Sequence, residues 1–187
     1  MPRVRTVAAL ATAAALVAPA AASAHVTVNP PQATPGSFAV MTVRVPNERD
    51  DKGTNRVDLR LPAGVYSLSY KKVPGWRIRP ISRRLQQPVD LGEFSVDRQF
   101  TRVIFTARPS GVIRPGQFEE FPLSVRVPDG EAGDVLTFRA LQRYQGGETV
   151  RWTGAPDSAR PAPRVTLTAP SPALAALTGP GAAALLR

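Results

Sequence analysis

The chain has 187 residues, with 24 basic and 14 acidic side chains, one histidine and no cysteine. This length suffices for one domain with a sizeable core. Because cysteine is absent, disulfide bonds and thiolate catalysis are excluded. Of the basic residues 21 are arginines scattered along the chain, which indicates solvated faces with at most a weak attraction to anionic polymers. With no basic helix or zinc finger, we do not expect nucleic-acid binding.

Residues 1–24 have the features of a secretory signal peptide. A positively charged start is followed by an apolar stretch over residues 7–17 and by small residues up to Ala24. This order predicts cleavage between Ala24 and His25 and a secreted or extracytoplasmic location. The apolar stretch is shorter than the ~20 residues that a membrane span needs.

Cleavage at that point makes the only histidine, His25, the first residue of the mature chain. Its free α-amine and an imidazole nitrogen can then chelate one metal ion, a geometry that suits Cu(II). Met41 is the only thioether left after processing, so the soft ligands that Cu(I) prefers are missing. The alternative interpretation is that His25 is a solvated chain end.

Beyond residue 25 the chain is rich in short β-branched or alternating segments separated by Pro/Gly turns. This pattern predicts an all-β, antiparallel β-sandwich of immunoglobulin-like or cupredoxin-like type over residues 25–168, without helices. The predicted strands are 26–28, 38–45, 56–61, 65–70, 75–79, 100–107, 118–127, 135–144, 148–153 and 164–168.

The last stretch, residues 169–187, is rich in alanine, leucine and proline and is interrupted by glycine and proline at 178–181. It is too short to cross a bilayer. We therefore expect a disordered C-terminal tail and no transmembrane anchor.

Four short motifs resemble the YcnI-like bacterial copper-binding domain. They are HVTVNP at 25–30, VPNE at 45–48, VPGW at 73–76 and VRW at 150–152. The order and spacing of these motifs extend the resemblance over residues 24–168, nearly the whole mature chain.

The resemblance implies a β-sandwich in which a processed N-terminal histidine forms a mono-histidine brace for Cu(II). In this sequence the metal ligands would be His25 and Glu48, with Trp152 packed beside the metal. It also implies an extracytoplasmic copper chaperone or scavenger, whose partner would be a membrane copper transporter or another copper carrier. Many members carry a C-terminal membrane anchor, which is not evident in this tail.

Taken without the resemblance, Glu48 is better interpreted as a loop glutamate paired with Arg49 or Lys52. Asp50 and Asp51 are alternative carboxylate ligands nearby. A carboxylate remains a suitable oxygen ligand for Cu(II) beside two nitrogens.

The two tryptophans, Trp76 and Trp152, can each be core residues of a sandwich. We assign Trp76 to the core, and only the resemblance places Trp152 at the metal. Two other functions remain open: a copper-dependent oxidase, and a metal-free cell-surface interaction domain in which His25 is incidental. The oxidase class uses a second histidine, which the sequence lacks, so we do not expect an enzyme.

Overall fold

The computed structural model describes residues 25–92 and 94–169. The expected signal peptide with its cleavage site, and the expected tail beyond Ala169, lie outside the described residues. In the described part the chain forms strands and one short 3-10 helix, Pro109–Gly111. The strands are β1 Thr27–Asn29, β2 Gln32–Ala33, β3 Phe38–Pro46, β4 Thr54–Arg60, β5 Leu68–Tyr70, β6 Trp76–Asp90, β7 Ser95–Ala107, β8 Phe118–Arg126, β9 Val135–Thr137, β10 Arg139–Tyr144, β11 Thr149–Trp152 and β12 Arg164–Leu167.

The strands form three sheets, which confirms the all-β prediction. The two larger sheets have the orders β1-β3-β8-β5 and β11-β10-β4-β7-β6, and a small sheet has the order β2-β12-β9. All pairs are antiparallel except the short β2–β12 pair. In the described part, no helix is long and apolar enough to span a membrane.

The core lies between the two larger sheets, because each presents an alternating apolar face. In β3, Met41, Val43 and Val45 are buried whereas the residues between them are more exposed. Across the interface the Phe121 ring of β8 packs on Phe105 of β7, with ring centroids 4.3 Å apart. Each such large apolar side chain contributes roughly 1.5–3 kcal/mol when fully buried.

The observed strands differ from the predicted ones in two places. One hairpin is longer than predicted, and one predicted strand is two separate strands. Strand β6 runs to Asp90, well past the predicted end at residue 79, and pairs with an equally extended β7. Its distal half is mostly exposed, so no buried periodicity marks it. The predicted strand 135–144 is interrupted at Phe138, where the chain leaves β12 and joins β4 as β10.

Strand β1 pairs with the C-terminal part of β3, so the start of the described chain lies beside the end of β3. Thr27 pairs with Arg44 and Val28 with Val43 in antiparallel register. Continuing this register by two residues places His25 opposite Pro46, the last residue of β3. The burial of Val26, which is 2% exposed, anchors His25 at this end of the sandwich.

Candidate metal centre

His25 lies directly against Trp152. The ring centroids are 5.5 Å apart with the planes inclined at 60°. The imidazole is partly exposed and borders a cleft of about 500 Å³ that is also lined by Arg44, Pro46 and Asn47. The structure therefore brings together two of the three residues that the sequence assigned to a metal site.

Trp152 is held in one orientation by a buried hydrogen bond. It lies on β11, is 1% exposed, and donates its indole Nε1–H to Gln142 Oε1 at 2.9 Å. Gln142 is itself fully buried and donates Nε2 to the carbonyl of Pro46 at 2.7 Å and to Thr54 Oγ1 at 2.8 Å. The glutamine thus ties the indole beside His25 to the end of β3.

Gln142 was not among the residues predicted from the sequence. A signal was present, because the inward positions of β10 read Ala140, Gln142 and Tyr144, and a buried amide needs partners for its polar atoms. Two of those partners lie 88 and 96 positions away in the sequence, whereas the third, Trp152, lies 10 positions away on the paired strand. Only the three-dimensional arrangement reveals what the amide connects.

The loop that carries Glu48 is locked by its neighbour, Asn47. The backbone N–H of Asn47 donates to Gln117 O, and the side-chain amide of Asn47 donates to Lys52 O and Ile113 O, each at 2.9 Å. Its Oδ1 accepts from the backbone N–H of Arg49 at 2.8 Å. Because Asn47 is 7% exposed and lines the His25 cleft, Glu48 follows a rigid part of that cleft's wall.

One carboxylate oxygen of Glu48, Oε1, is buried and has no hydrogen-bond partner among the described residues. A buried acceptor without a partner is costly, and more so when it belongs to an ionised group. This oxygen is therefore a candidate for a ligand that supplies positive charge.

The two cations beside Glu48 bind another carboxylate instead. Arg49 Nη2 lies 2.7 Å from Glu148 Oε1, and Lys52 Nζ lies 3.0 Å from Glu148 Oε2. Hydrogen bonds from Arg49 and then Lys52 lower the pKa of Glu148 to about 2. The pairing of Glu48 with Arg49 or Lys52, which the sequence favoured, is not the observed one.

A second buried oxygen lies in the same region. The hydroxyl of Tyr144 is buried, and burial raises its pKa more than contacts with the Glu48 backbone and the Thr54 side chain lower it. The Arg49 guanidinium lies 5.2 Å from the Tyr144 ring centroid. Arg49 is therefore held between Glu148 and this ring.

Trp76 lies in the core, as predicted. It is 7% exposed and packs edge-on against Phe121, with ring centroids 4.8 Å apart. Met41 is also buried in the core, at 2% exposed. Both tryptophans belong to the buried core, and it is Trp152 whose ring lies against His25.

The side chains of the described residues do not by themselves form a complete metal site. Among these residues, no group of three or more His, Cys, Asp or Glu side chains is placed to share an ion. The observed arrangement is one imidazole, an indole beside it, and a carboxylate on the adjoining loop with a free oxygen. Metal binding here would need further donor atoms from the backbone, such as the α-amine of His25.

Comparison with known proteins gives both a family and a fold. The family model described as a domain of unknown function, DUF1775, matches residues 25–175. The copper-binding protein CutI of Bacillus subtilis (strain 168) is 32% identical over 142 residues, which cover 76% of this chain and 61% of that protein. The chain therefore spans about three fifths of that relative's length.

The fold comparison selects one of the two predicted architectures. A crystal structure of an uncharacterized Nocardia farcinica protein, described as having an immunoglobulin-like fold, is similar with a TM-score of 0.58 and 30% identity. The similarity covers 77% of this chain and 98% of that one. The immunoglobulin-like prediction is confirmed.

Proposed function

The chain belongs to the DUF1775 family, the YcnI-like family that its motifs indicated, and from that premise we propose that it is an exported Cu(II)-binding protein. The name of its Bacillus subtilis relative supports copper as the metal. The observation that supports the proposal is the contact between the His25 and Trp152 rings, since the only histidine of the chain, at the expected mature N-terminus, lies against a buried indole.

The proposed ligands are the α-amine and imidazole of His25 and the carboxylate of Glu48. Signal-peptide cleavage between Ala24 and His25 frees the amine, so the metal site forms only outside the cytoplasm. The Oε1 of Glu48 fits this donor set, because a metal ion would satisfy a buried oxygen that has no hydrogen-bond partner among the described residues. Two nitrogens and an oxygen suit Cu(II) among the divalent metals.

Trp152 shields the metal rather than binding it. Its indole N–H is already used by Gln142, so its ring can exclude water from one side of the site. The surroundings of a metal control solvent access and redox potential. Trp152 is accordingly placed to tune a copper ion bound at His25.

We propose that the protein delivers or sequesters copper and does not catalyse a reaction. An oxidase with a two-histidine brace needs a second histidine, and the sequence has one only. The sequence has no cysteine, and Met41, the one thioether of the described residues, is buried, so reduction to Cu(I) would favour release to a sulfur-rich acceptor. A membrane copper transporter or another carrier is the corresponding partner.

The carboxylate assignment is tested by two matched substitutions in one loop. Glu48→Gln keeps the size of the side chain and removes its charge, so Cu(II) affinity should fall by about 10- to 100-fold. Asp50→Asn removes the same charge from an exposed neighbour and should change the affinity by less than about threefold.

The affinities are measured by competition against a chelator of known strength, after circular dichroism has shown that both variants are folded. Unchanged affinity in Glu48→Gln with a loss in Asp50→Asn would assign the ligand to Asp50. Unchanged affinity in both variants would show that neither Glu48 nor Asp50 is a ligand of the metal. A metal-free interaction domain would bind no Cu(II) in any of the three proteins.

A further inference from the structure

The outward face of the five-stranded sheet is covered with arginines. On the central strands β4 and β7 the inward residues, such as Val57 and Val103, are fully buried in the core, so the residues between them point outward, and the cross-strand register gives the outward positions of the other three strands. The arginine face consists of eight residues: Arg56 and Arg60 on β4, Arg77 and Arg79 on β6, Arg102 on β7, Arg139 and Arg143 on β10, and Arg151 on β11.

The register brings several of these cations directly opposite each other. Arg139 pairs with Arg60, and Arg60 pairs in turn with Arg102 on the next strand. Arg143 likewise lies opposite Arg56. Like charges in opposite positions destabilise a sheet, so nothing in the folding of this sheet accounts for the arrangement.

The face has almost no counter-charge of its own. Asp58 is the one acidic residue at the outward positions of these rows in the described chain, and it is bound to Arg102, whose Nε lies 2.9 Å from Asp58 Oδ1. None of the other seven arginines forms an ion pair with a described residue. The face therefore has a large uncompensated positive charge.

A depression on this face has the chemistry of a phosphate site. Arg56, Arg77 and Arg79 line a cavity of about 350 Å³ together with Ile104 and Thr106. Ile104 is 5% exposed although its position points outward, as expected when long arginine stems cover an apolar residue. Guanidinium groups bind phosphate oxygens in a two-pronged geometry that matches such a pocket.

We propose that the arginine face docks on a membrane surface rich in anionic phospholipid. The charges spread over five neighbouring strands, which at about 4.8 Å between strands cover roughly 19 Å in width. A two-dimensional distribution matches the headgroups of a bilayer better than a linear polymer. Apart from Asp58, the outward positions between the arginines carry aliphatic residues or threonine, including Ile81 and Leu141, and lack the aromatic platforms that bind unpaired nucleobases.

This surface is separate from the candidate metal centre. His25 precedes β1 in the other large sheet, and Trp152 points into the core, whereas its neighbour Arg151 points outward. Docking on the arginine face would hold the protein at the membrane without covering the His25 cleft.

Vesicle flotation with the processed, copper-free protein tests the proposal. The protein should float with phosphatidylcholine vesicles that contain one third phosphatidylglycerol, should not float with pure phosphatidylcholine vesicles, and should dissociate as salt is raised. A cation near an anionic surface strengthens binding by about fivefold. The triple variant Arg60→Gln, Arg79→Gln, Arg139→Gln should therefore bind on the order of 100-fold more weakly.

The matched control removes three exposed arginines from loops outside the face: Arg108→Gln, Arg114→Gln, Arg160→Gln. It has the same net charge and the same termini as the test variant, and it should retain most of the binding. Equal losses in the two triple variants would show that only net charge matters and would overturn the proposal. Equal flotation of the parent protein with neutral vesicles would overturn it as well.

Soluble polyphosphate serves as the competing probe. If it displaces the protein from anionic vesicles at an equal concentration of phosphate groups, the partner is a soluble polyanion and the membrane assignment is wrong. The melting temperatures of both triple variants are compared with that of the parent, and a face built from opposed arginines should lose no stability when three of them become neutral.

Discussion

Replacing Gln142 with leucine should destabilise the fold and weaken copper binding together. Leucine has a similar volume but cannot form the three hydrogen bonds that join Pro46, Thr54 and Trp152. The substitution therefore leaves polar groups buried around a fully buried position without a partner. Each such group costs about 1–3 kcal/mol.

The three groups that lose a hydrogen bond are Pro46 O, Thr54 Oγ1 and Trp152 Nε1. At about 1 kcal/mol for each, the free energy of unfolding should fall by about 3 kcal/mol. For a domain of this size, 1 kcal/mol corresponds to roughly 2–4 °C in melting temperature. The expected decrease is therefore about 6–12 °C. Because the indole beside His25 also loses its only described hydrogen bond, Cu(II) affinity should fall by about 10- to 100-fold.

The matched control is Gln99→Leu, which removes a buried glutamine from β7 that accepts one hydrogen bond, from Arg83. Arg83 is exposed and can bond to water instead, so the expected loss is about 1 kcal/mol, without an effect on copper. Thermal unfolding by circular dichroism measures both variants. Equal melting temperatures for the two variants would refute the role assigned to the Gln142 network.

Two further predictions follow from the tryptophans and from Glu148. Because His25 contacts Trp152 and not Trp76, copper should quench most of the fluorescence of Trp76→Phe and little of that of Trp152→Phe; the opposite pattern would exchange their roles. The pKa of Glu148 is lowered to about 2 by Arg49 and Lys52, below an unfolded value of ~4.3, so its stabilising effect is full above pH ~4.3 and is lost as pH falls towards 2. In unfolding titrations, Glu148→Gln should lose stability relative to the parent at pH 6 but not near pH 2, and a constant difference would contradict the ion-pair assignment.

The sequence predicted the sandwich because most strands alternate between a buried and an exposed side. Met41, Val43 and Val45 on β3 show this period and are buried as expected. The distal half of the β6–β7 hairpin carries polar residues on both faces, including Arg83 and Arg84. The sequence there lacks the apolar–polar alternation from which the length of the hairpin could be predicted. Backbone pairing determines that hairpin more than burial does.

The candidate site was predicted in part. The position of His25 after the expected cleavage site and the VRW motif led to the two residues that the structure places in contact. The competition of Glu148 for Arg49 and Lys52 was not predictable, because it joins residues nearly a hundred positions apart. The arginines likewise look scattered in the sequence, because their alignment on one face of the sheet depends on the register of five strands.

The most direct test of the copper site is to retain one residue before His25. Protein starting at His25 and protein starting at Ala24 are each confirmed by mass and N-terminal sequence and then titrated with Cu(II) by calorimetry. We expect one tight site in the first protein and far weaker binding in the second, because Ala24 converts the His25 amine into a peptide nitrogen. Equal affinity and stoichiometry in the two proteins would contradict the N-terminal histidine brace.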